Sequence, residues 1–204
     1  FVKKHLKTLP FNCTVLSIIG KHGGAAGTLS ALVKGYRADY GIYLHPAETG
    51  HGFAEIKNIS LGAVDLNISV TGKPGRQHDD LDTGANASVL ISQIAIWLEE
   101  FNQLMRKKHR FDFGSFKNEP SFILNIGSIT SSAGYGGICQ KAEMKVRIRF
   151  FFPLTLSEVI SQVKQFLKDK IESSSLMEFS QLTIEKGPLR ASPAVVETES
   201  PFVQ

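Results

Sequence analysis

The sequence predicts an α+β fold in which two helices cover one face of a four-stranded antiparallel sheet. Apolar and polar residues alternate over Ala54–Thr71 and Glu143–Phe152, which is typical of strands with one buried face. Two shorter strands are predicted at Ser121–Thr130 and Met177–Glu185. With the helices between them, the order is strand, helix, strand, strand, helix, strand. This order indicates a ferredoxin-like two-layer sandwich.

Two amphipathic segments supply the predicted helices. The first, Asn86–Lys108, carries apolar side chains at spacings of three and four. The second begins at Thr155-Leu-Ser-Glu158, a capping box in which each end residue's side chain bonds to the other's backbone amide. The predicted apolar stripe of the first helix consists of Leu90, Ile94, Trp97, Leu98, Phe101, Leu104 and Met105.

The first fifty residues follow a different pattern. Two short apolar runs, Cys13–Ile19 and Arg37–Leu44, are typical of buried strands, and a predicted helix, Thr28–Lys34, lies between them. This is one β-α-β unit of a parallel sheet. Because two strands alone do not make a stable sheet, we expect the unit to belong to a larger α/β domain.

The sequence therefore predicts that the chain has three parts. Residues 51–190 form the sandwich, which is inserted in or attached to part of an α/β catalytic domain. Residues 1–50 are a segment of that catalytic domain, and residues 191–204 return towards it.

Composition limits the function classes. The chain has 204 residues, of which 42% are hydrophobic and 21% charged, and its net charge of +4 is too small to indicate a nucleic-acid partner. No stretch approaches the roughly 18 apolar residues of a membrane-spanning helix. Cys13 and Cys139 do not make a disulfide framework, and the start at Phe1 lacks a secretory signal pattern. We expect a cytoplasmic protein with no nucleic-acid or membrane partner.

Two clusters near the start of the chain are candidates for chemistry. Gly20–Gly27 lies between a predicted strand and a helix, where backbone amides can bind phosphate. Its glycines do not have the spacing of either common phosphate-binding loop, and this favours a tight turn. His45, Glu48 and His51 follow the end of an apolar run and are ligand types that zinc accepts. The alternative for this second cluster is a polar surface loop.

A third polar cluster lies between the first long strand and the first long helix. Gly75–Asp82 carries Arg76, His78 and three carboxylates. It could bind an anion or cap a helix, and a solvated loop is the alternative, since one imidazole without an oriented partner does not indicate catalysis.

Seven short motifs follow one another along the chain. They are Gly23-Gly24…Gly27-Thr28-Leu29, Gly35-Tyr-Arg-Ala-Asp39, Ile42-x-x-His45-Pro46, Ile68-x-Val70-x-Gly72-Lys73, Gly84-Ala-Asn86-Ala87, Asn125-Ile-Gly-Ser-Ile129 and Ala142-Glu143…Arg147-Ile148-Arg149. In order and spacing, these motifs resemble the dinuclear-zinc amidohydrolases and peptidases of the acetylornithine deacetylase, succinyl-diaminopimelate desuccinylase and carboxypeptidase family.

The resemblance implies that the sandwich is the lid of such a hydrolase and forms a homodimer. The implied reaction is hydrolysis of the amide bond of an N-acyl amino acid or short peptide by water held between two zinc ions. His45 stands where the family has a carboxylate metal ligand, and Arg76 or His78 takes the place of the lid histidine that contacts the oxyanion. Asn125 and Arg149 are the implied substrate contacts.

Two departures from the family pattern keep a second hypothesis open. Gly20-Lys21 falls where the family has a catalytic Glu-Glu pair, and Gly136-Gly-Ile-Cys139 replaces Asn-Val-Val-Pro. The other family ligands are expected before Phe1 or beyond Gln204, so we expect the isolated chain to be inactive and to retain no zinc. The alternative is a non-catalytic dimerisation or binding module derived from the same family.

Overall fold

The computed structural model describes a large part of the chain, in two compact units, Phe1–Glu48 and Thr49–Gln204. The described residues are 12, 14–17, 26–39, 41, 59–73, 85–113, 116–133, 137–174 and 181–196.

The first unit contains helix α1, Ala26–Val33, which confirms the helix predicted before Gly35. Gly35 has a φ of 89°, in the left-handed region that glycine adopts without strain. The Gly35 amide donates to the carbonyl of Leu32, and the Tyr36 amide donates to the carbonyl of Ala31, each over 3.1 Å. These two bonds form a Schellman motif and end the helix.

The two strands predicted in this unit are not found in the residues that the structure describes. Of Cys13–Ile19 and Arg37–Leu44, it describes residues 14–17, 37–39 and 41, and none of these belongs to a strand. A strand requires a ladder partner, and no described residue pairs with them.

In its described residues, the second unit contains two long helices, four long strands and four shorter strands. The elements are β1 Ile59–Ser60, β2 Gly62–Thr71, α2 Ala87–Lys108, β3 Arg110–Phe113, β4 Phe116–Pro120, β5 Phe122–Ser131, β6 Lys141–Phe150, α3 Leu156–Glu172, β7 Gln181–Ala191 and β8 Ala194–Val195. The main sheet is antiparallel, in the order β5-β6-β2-β7. The predicted ferredoxin-like sandwich is therefore confirmed.

The core lies between the sheet and the two helices. Buried and exposed residues alternate along β6, as the sequence pattern predicted. Trp97 is buried, whereas Leu104, predicted on the buried stripe of α2, is exposed. Each residue turns 100° around a helix, and the neighbouring Met105, predicted on the same stripe, is buried. The largest fully buried side chains include Phe122, Phe150, Leu66, Ile68, Ile91, Ile94, Leu98 and Met144.

Side chains cap the start of both long helices. The Asn86 side chain accepts a 3.0 Å hydrogen bond from the Ser88 amide at the start of α2. At the start of α3, the Thr155 amide donates to the Glu158 carboxylate over 2.8 Å, and the Glu158 amide donates to the Thr155 hydroxyl over 3.3 Å. The predicted capping box is therefore confirmed. Among the described helices, none is both long and apolar enough to cross a membrane.

The hairpin β3–β4 was not predicted. It follows directly after the C-terminal end of α2, and the Ser121 amide closes it by donating to the carbonyl of His109 over 3.1 Å. The ring of Phe111 stacks on Phe151, with centroids 4.4 Å apart. The strands β3 and β4 are too short for an alternation of apolar and polar residues to distinguish them from a loop.

The sandwich begins and ends at one small ladder. β1 pairs antiparallel with β8, with Ile59 opposite Val195 and Ser60 opposite Ala194. β8 lies in the predicted return segment, so the chain enters and leaves the sandwich at neighbouring positions. The last predicted strand of the main sheet, Met177–Glu185, is found at Gln181–Ala191.

Candidate functional site

The sheet has one face that helices α2 and α3 do not cover, which we call the open face. Because side chains alternate across a strand, the residues between the core positions point to this face. They are mainly polar, and basic residues predominate on β6. The open face includes Ile123 and Asn125 of β5, Lys145, Arg147 and Arg149 of β6, and Ala63, Asp65 and Asn67 of β2.

An ion pair joins β2 to β6 at the centre of the open face. The Nε of Arg147 donates to Oδ1 of Asp65 over 2.7 Å, and its Nη2 donates to Oδ2 over 2.9 Å. Such bidentate pairs fix the plane of the guanidinium. The hydrogen-bonded Arg147 lowers the pKa of the Asp65 carboxyl against the opposing effect of burial, and Asp65 raises the pKa of Arg147.

A bulge in β7 leaves room for this ion pair. The pairing of β7 with β2 shifts between Val64 and Leu66, beside Gly187. A Cβ atom on Gly187 would lie 2.6 Å from Cβ of Asp65, which is too close for any side chain. Glycine is therefore required there for Asp65 to keep its position.

Asn125 and Arg149, the predicted substrate contacts, lie close together on the open face. Asn125 stands opposite Arg147, and Arg149 stands opposite Ile123 on one side and Ala63 on the other. Asn125 and Arg149 are thus diagonal neighbours, with Cα atoms roughly 7–8 Å apart in such a position. Both side chains are exposed, and neither has a hydrogen bond or an ion pair with the described part of the chain.

The loop predicted to carry the oxyanion contact is described only at its two ends. The Ala85 amide donates to the carbonyl of Lys73 over 3.2 Å and closes the loop. The amide of Gly72 donates to Gln140 over 2.8 Å, and that of Ala87 donates to Cys139 over the same distance. Both ends of the loop are therefore held beside the start of β6.

These loop ends are far from Arg149. Lys141 and Arg149 lie at opposite ends of β6, and at about 3.3 Å per residue their separation is roughly 27 Å. The structure therefore brings Asn125 and Arg149 together but does not bring them to the ends of the loop.

The other predicted site residues lie outside the described residues: His45, Glu48, His51, Gly20, Lys21, Arg76 and His78. Within the described ranges, no three histidine, cysteine, aspartate or glutamate side chains are grouped so that they could hold a metal ion. The described residues therefore do not fit a metal centre.

The fold and the open face define an α+β sandwich domain with two helices on one side of a four-stranded antiparallel sheet. A family profile described as "Peptidase dimerisation domain" matches residues 60–174. This match spans more than half of the chain, and the chain belongs to the M20 peptidase dimerisation domain family. A search of curated protein sequences gives no significant match.

Solved structures share the fold at low sequence identity. Aminopeptidase PepT from Bacillus cereus ATCC 10987 matches with a TM-score of 0.64 and 14% identity, over 91% of this chain and 44% of PepT. A hydantoinase/carbamoylase family amidase from Burkholderia ambifaria matches with a TM-score of 0.50 and 15% identity, over 67% of this chain and 31% of the amidase. The chain thus spans less than half the length of either protein.

Proposed function

We propose that this chain supplies the lid and dimerisation domain of a metal-dependent hydrolase that cleaves the amide bond of an N-acyl amino acid or a short peptide. The observation that carries this proposal is the peptidase dimerisation domain match over residues 60–174. The ferredoxin-like sandwich in the same region supports it. The protein acts as a homodimer in the cytoplasm, with the lid as the self-associating part.

Arg149 binds the carboxylate of the substrate in this proposal. Both proposed substrate classes carry a carboxylate, which a guanidinium binds through two parallel hydrogen bonds. Arg147 is held by Asp65, whereas the donors of Arg149 are not used by any described residue. The neighbouring Asn125 adds an amide that can donate to the same carboxylate or accept from the amide of the substrate.

The remaining roles are proposed for residues outside the described part of the chain. Arg76 or His78 contacts the oxyanion, and His45 is one of the metal ligands. Peptidases of this family generally use metal ions such as zinc, and we propose that the complete protein binds two zinc ions. Because the described residues do not fit a metal centre, we assign them only substrate binding and association.

Replacing Arg149 with alanine in the full-length protein tests the proposal. With N-acetyl amino acids and dipeptides as substrates and zinc supplied, we expect kcat/KM to fall about 100-fold, since one well-placed charged hydrogen-bonding pair contributes about 1.5–3 kcal/mol. The loss should appear mainly in KM if Arg149 binds substrate and transition state equally.

Lys145→Ala is the matched control, because Lys145 lies on the same strand and the same face, two rows away from Arg149. It should leave kcat/KM within about threefold of wild type, since a solvated surface charge contributes little. Equal losses in both variants would contradict a specific role for Arg149. If the full-length protein hydrolyses none of these substrates, the assignment as an amidohydrolase or peptidase is wrong.

One observation favours a second candidate function, a non-catalytic dimerisation or binding module. Gly20-Lys21 stands where the family has a Glu-Glu pair, and neither residue can accept the proton of water or bind zinc. The sequence encoded on either side of the chain discriminates between the two. A His-x-Asp motif and a further aspartate upstream, with a histidine downstream, favour the enzyme, and their absence favours the module.

A further inference from the structure

Arg149 lies where a polar part of the open face meets an apolar part. Residues that stand opposite one another on neighbouring strands form a row across the sheet. In the row next to that of Arg149, Arg147 and Asp65 form their ion pair. In its own row, Arg149 stands between Ile123 of β5 and Ala63 of β2. A group bound to the guanidinium of Arg149 is therefore next to apolar side chains.

The row that contains Arg149 has one charge and is otherwise apolar. It consists of Ile123, Arg149, Ala63 and Ala191, and we call it the Arg149 row. Ile123 leaves 48% of its surface exposed. Cβ atoms of directly opposite residues in antiparallel strands are about 4.5–5.5 Å apart, so Ile123 and Arg149 are side-chain neighbours. Ile123 thus presents apolar surface beside a cationic group.

The apolar surface continues past the Arg149 row towards the hairpin β3–β4. The amide of Phe151 donates to the carbonyl of Ser121 over 2.9 Å, so the pairing of the two strands continues one step past the start of β5 and the end of β6. Because side chains alternate, Phe151 is the next residue on the open face after Arg149. Its ring stacks on that of Phe111 in β3. The hairpin therefore borders the Arg149 row with an aromatic pair.

Polar contacts within the hairpin hold this border in place. Asn118 has a φ of 55°, in the left-handed region, and its amide donates to the carboxylate of Asp112. The guanidinium of Arg110 donates to the carbonyl of Asn118 over 3.1 Å. Both bonds link β3 to β4, so they fix the hairpin that carries Phe111.

We propose that the amino acid bound through Arg149 carries an apolar side chain, and that Ile123 selects this substrate by packing against that side chain. The inference rests on the proposed function and specifies its substrate class as N-acyl amino acids or short peptides with an apolar residue at the free carboxylate. The side chain and the carboxylate of such a residue are attached to the same carbon atom. They can therefore contact Ile123 and Arg149, which are neighbours in one row, and the contact with Ile123 removes apolar surface from water.

A charged substrate side chain finds no ion-pair partner in the Arg149 row. Its other members are one isoleucine and two alanines. In the next row, both carboxylate oxygens of Asp65 accept hydrogen bonds from Arg147. A charge packed against Ile123 would lose hydration without gaining a partner in that row, which is unfavourable.

Ile123→Ala, assayed in the full-length protein with zinc supplied, tests the proposal. The substrates are N-acetyl amino acids or dipeptides, whichever the protein hydrolyses, with leucine, glycine or aspartate at the free carboxylate. For the leucine substrate, kcat/KM should fall about 10-fold, since the variant removes apolar contact surface. For the glycine substrate, which has no side chain to lose the contact, kcat/KM should stay within about threefold. The wild type should prefer leucine to glycine and to aspartate by about 10-fold or more.

Lys145→Ala is again the control and should leave the ratio of kcat/KM for leucine to that for glycine unchanged. Equal losses for leucine and glycine in Ile123→Ala would overturn the proposal, because Ile123 would then not distinguish side chains. A wild-type preference for aspartate over leucine would also overturn it. These two results would leave the proposed function intact, whereas a protein that hydrolyses none of these substrates would refute the proposed function and this inference together.

Discussion

Gly72→Ala is expected to destabilise the sandwich by about 3 kcal/mol or more, because a side chain at this position overpacks the backbone. A Cβ atom on Gly72 would lie 1.9 Å from the carbonyl oxygen of Ala85 and 3.2 Å from the amide nitrogen of Ala87. Both contacts are to backbone that hydrogen bonds hold in place, so the end of β2 and the start of α2 would have to separate. Urea unfolding of the wild type and the variant, at one protein concentration, measures the loss.

Gly127→Ala is the matched control for this substitution. Its Cβ atom would have as nearest neighbour the carbonyl oxygen of Lys145 at 3.6 Å, which is an ordinary contact. The unfolding free energy should change by less than about 1 kcal/mol, since alanine fits and also lowers the entropy of the unfolded chain. If both variants unfold at the wild-type urea concentration, the close approach at Gly72 is not present in solution.

Phe122→Ala is expected to cost about 3–5 kcal/mol, since it removes a large side chain from a packed core. Phe122 is fully buried at the start of β5, and its ring meets the edge of Phe101 of α2, with centroids 5.7 Å apart and planes at 86°. The substitution therefore opens a cavity between the sheet and the helix that covers its edge strand. Urea unfolding at a fixed protein concentration is again the measurement.

The adjacent residue supplies the control for this second substitution. Ile123 lies on the opposite face of the same strand and is about half exposed. Ile123→Ala should cost less than about 1 kcal/mol, because little apolar surface returns to water. A loss for Ile123→Ala as large as that for Phe122→Ala would mean that the open face is covered rather than exposed.

The parts of the fold that depend on local sequence could be predicted. Alternation in β2 and β6 and the capping box at Thr155 and Glu158 are determined by neighbouring residues. Leu104 shows the limit of this reasoning, since a stripe at spacings of three and four does not decide which of two adjacent apolar residues is buried.

The contacts that define the candidate site depend on strand pairing and could not be predicted. Asp65 and Arg147 are 82 positions apart in sequence, and only the register of β2 with β6 brings them together. The hydrogen bond from the Leu124 amide to the Asn102 side chain likewise depends on tertiary contacts, since α2 must pack against β5 to form it. The diagonal position of Asn125 and Arg149 also follows from register.

The predicted family membership is confirmed by the dimerisation domain match. His45, Arg76 and His78 lie outside the described residues, so their predicted roles stay predictions. The roles of Asn125 and Arg149 also stay predictions, now with a defined place on the open face.

Self-association of the sandwich is the central claim, and the molar mass of the chain in solution tests it most directly. Light scattering on the wild-type chain at micromolar concentration should give the mass of two chains, shifting towards that of one chain on dilution. A mass of one chain at every concentration up to about 100 µM would contradict the claim, because an interface of the usual size for a stable dimer gives a dissociation constant below that concentration.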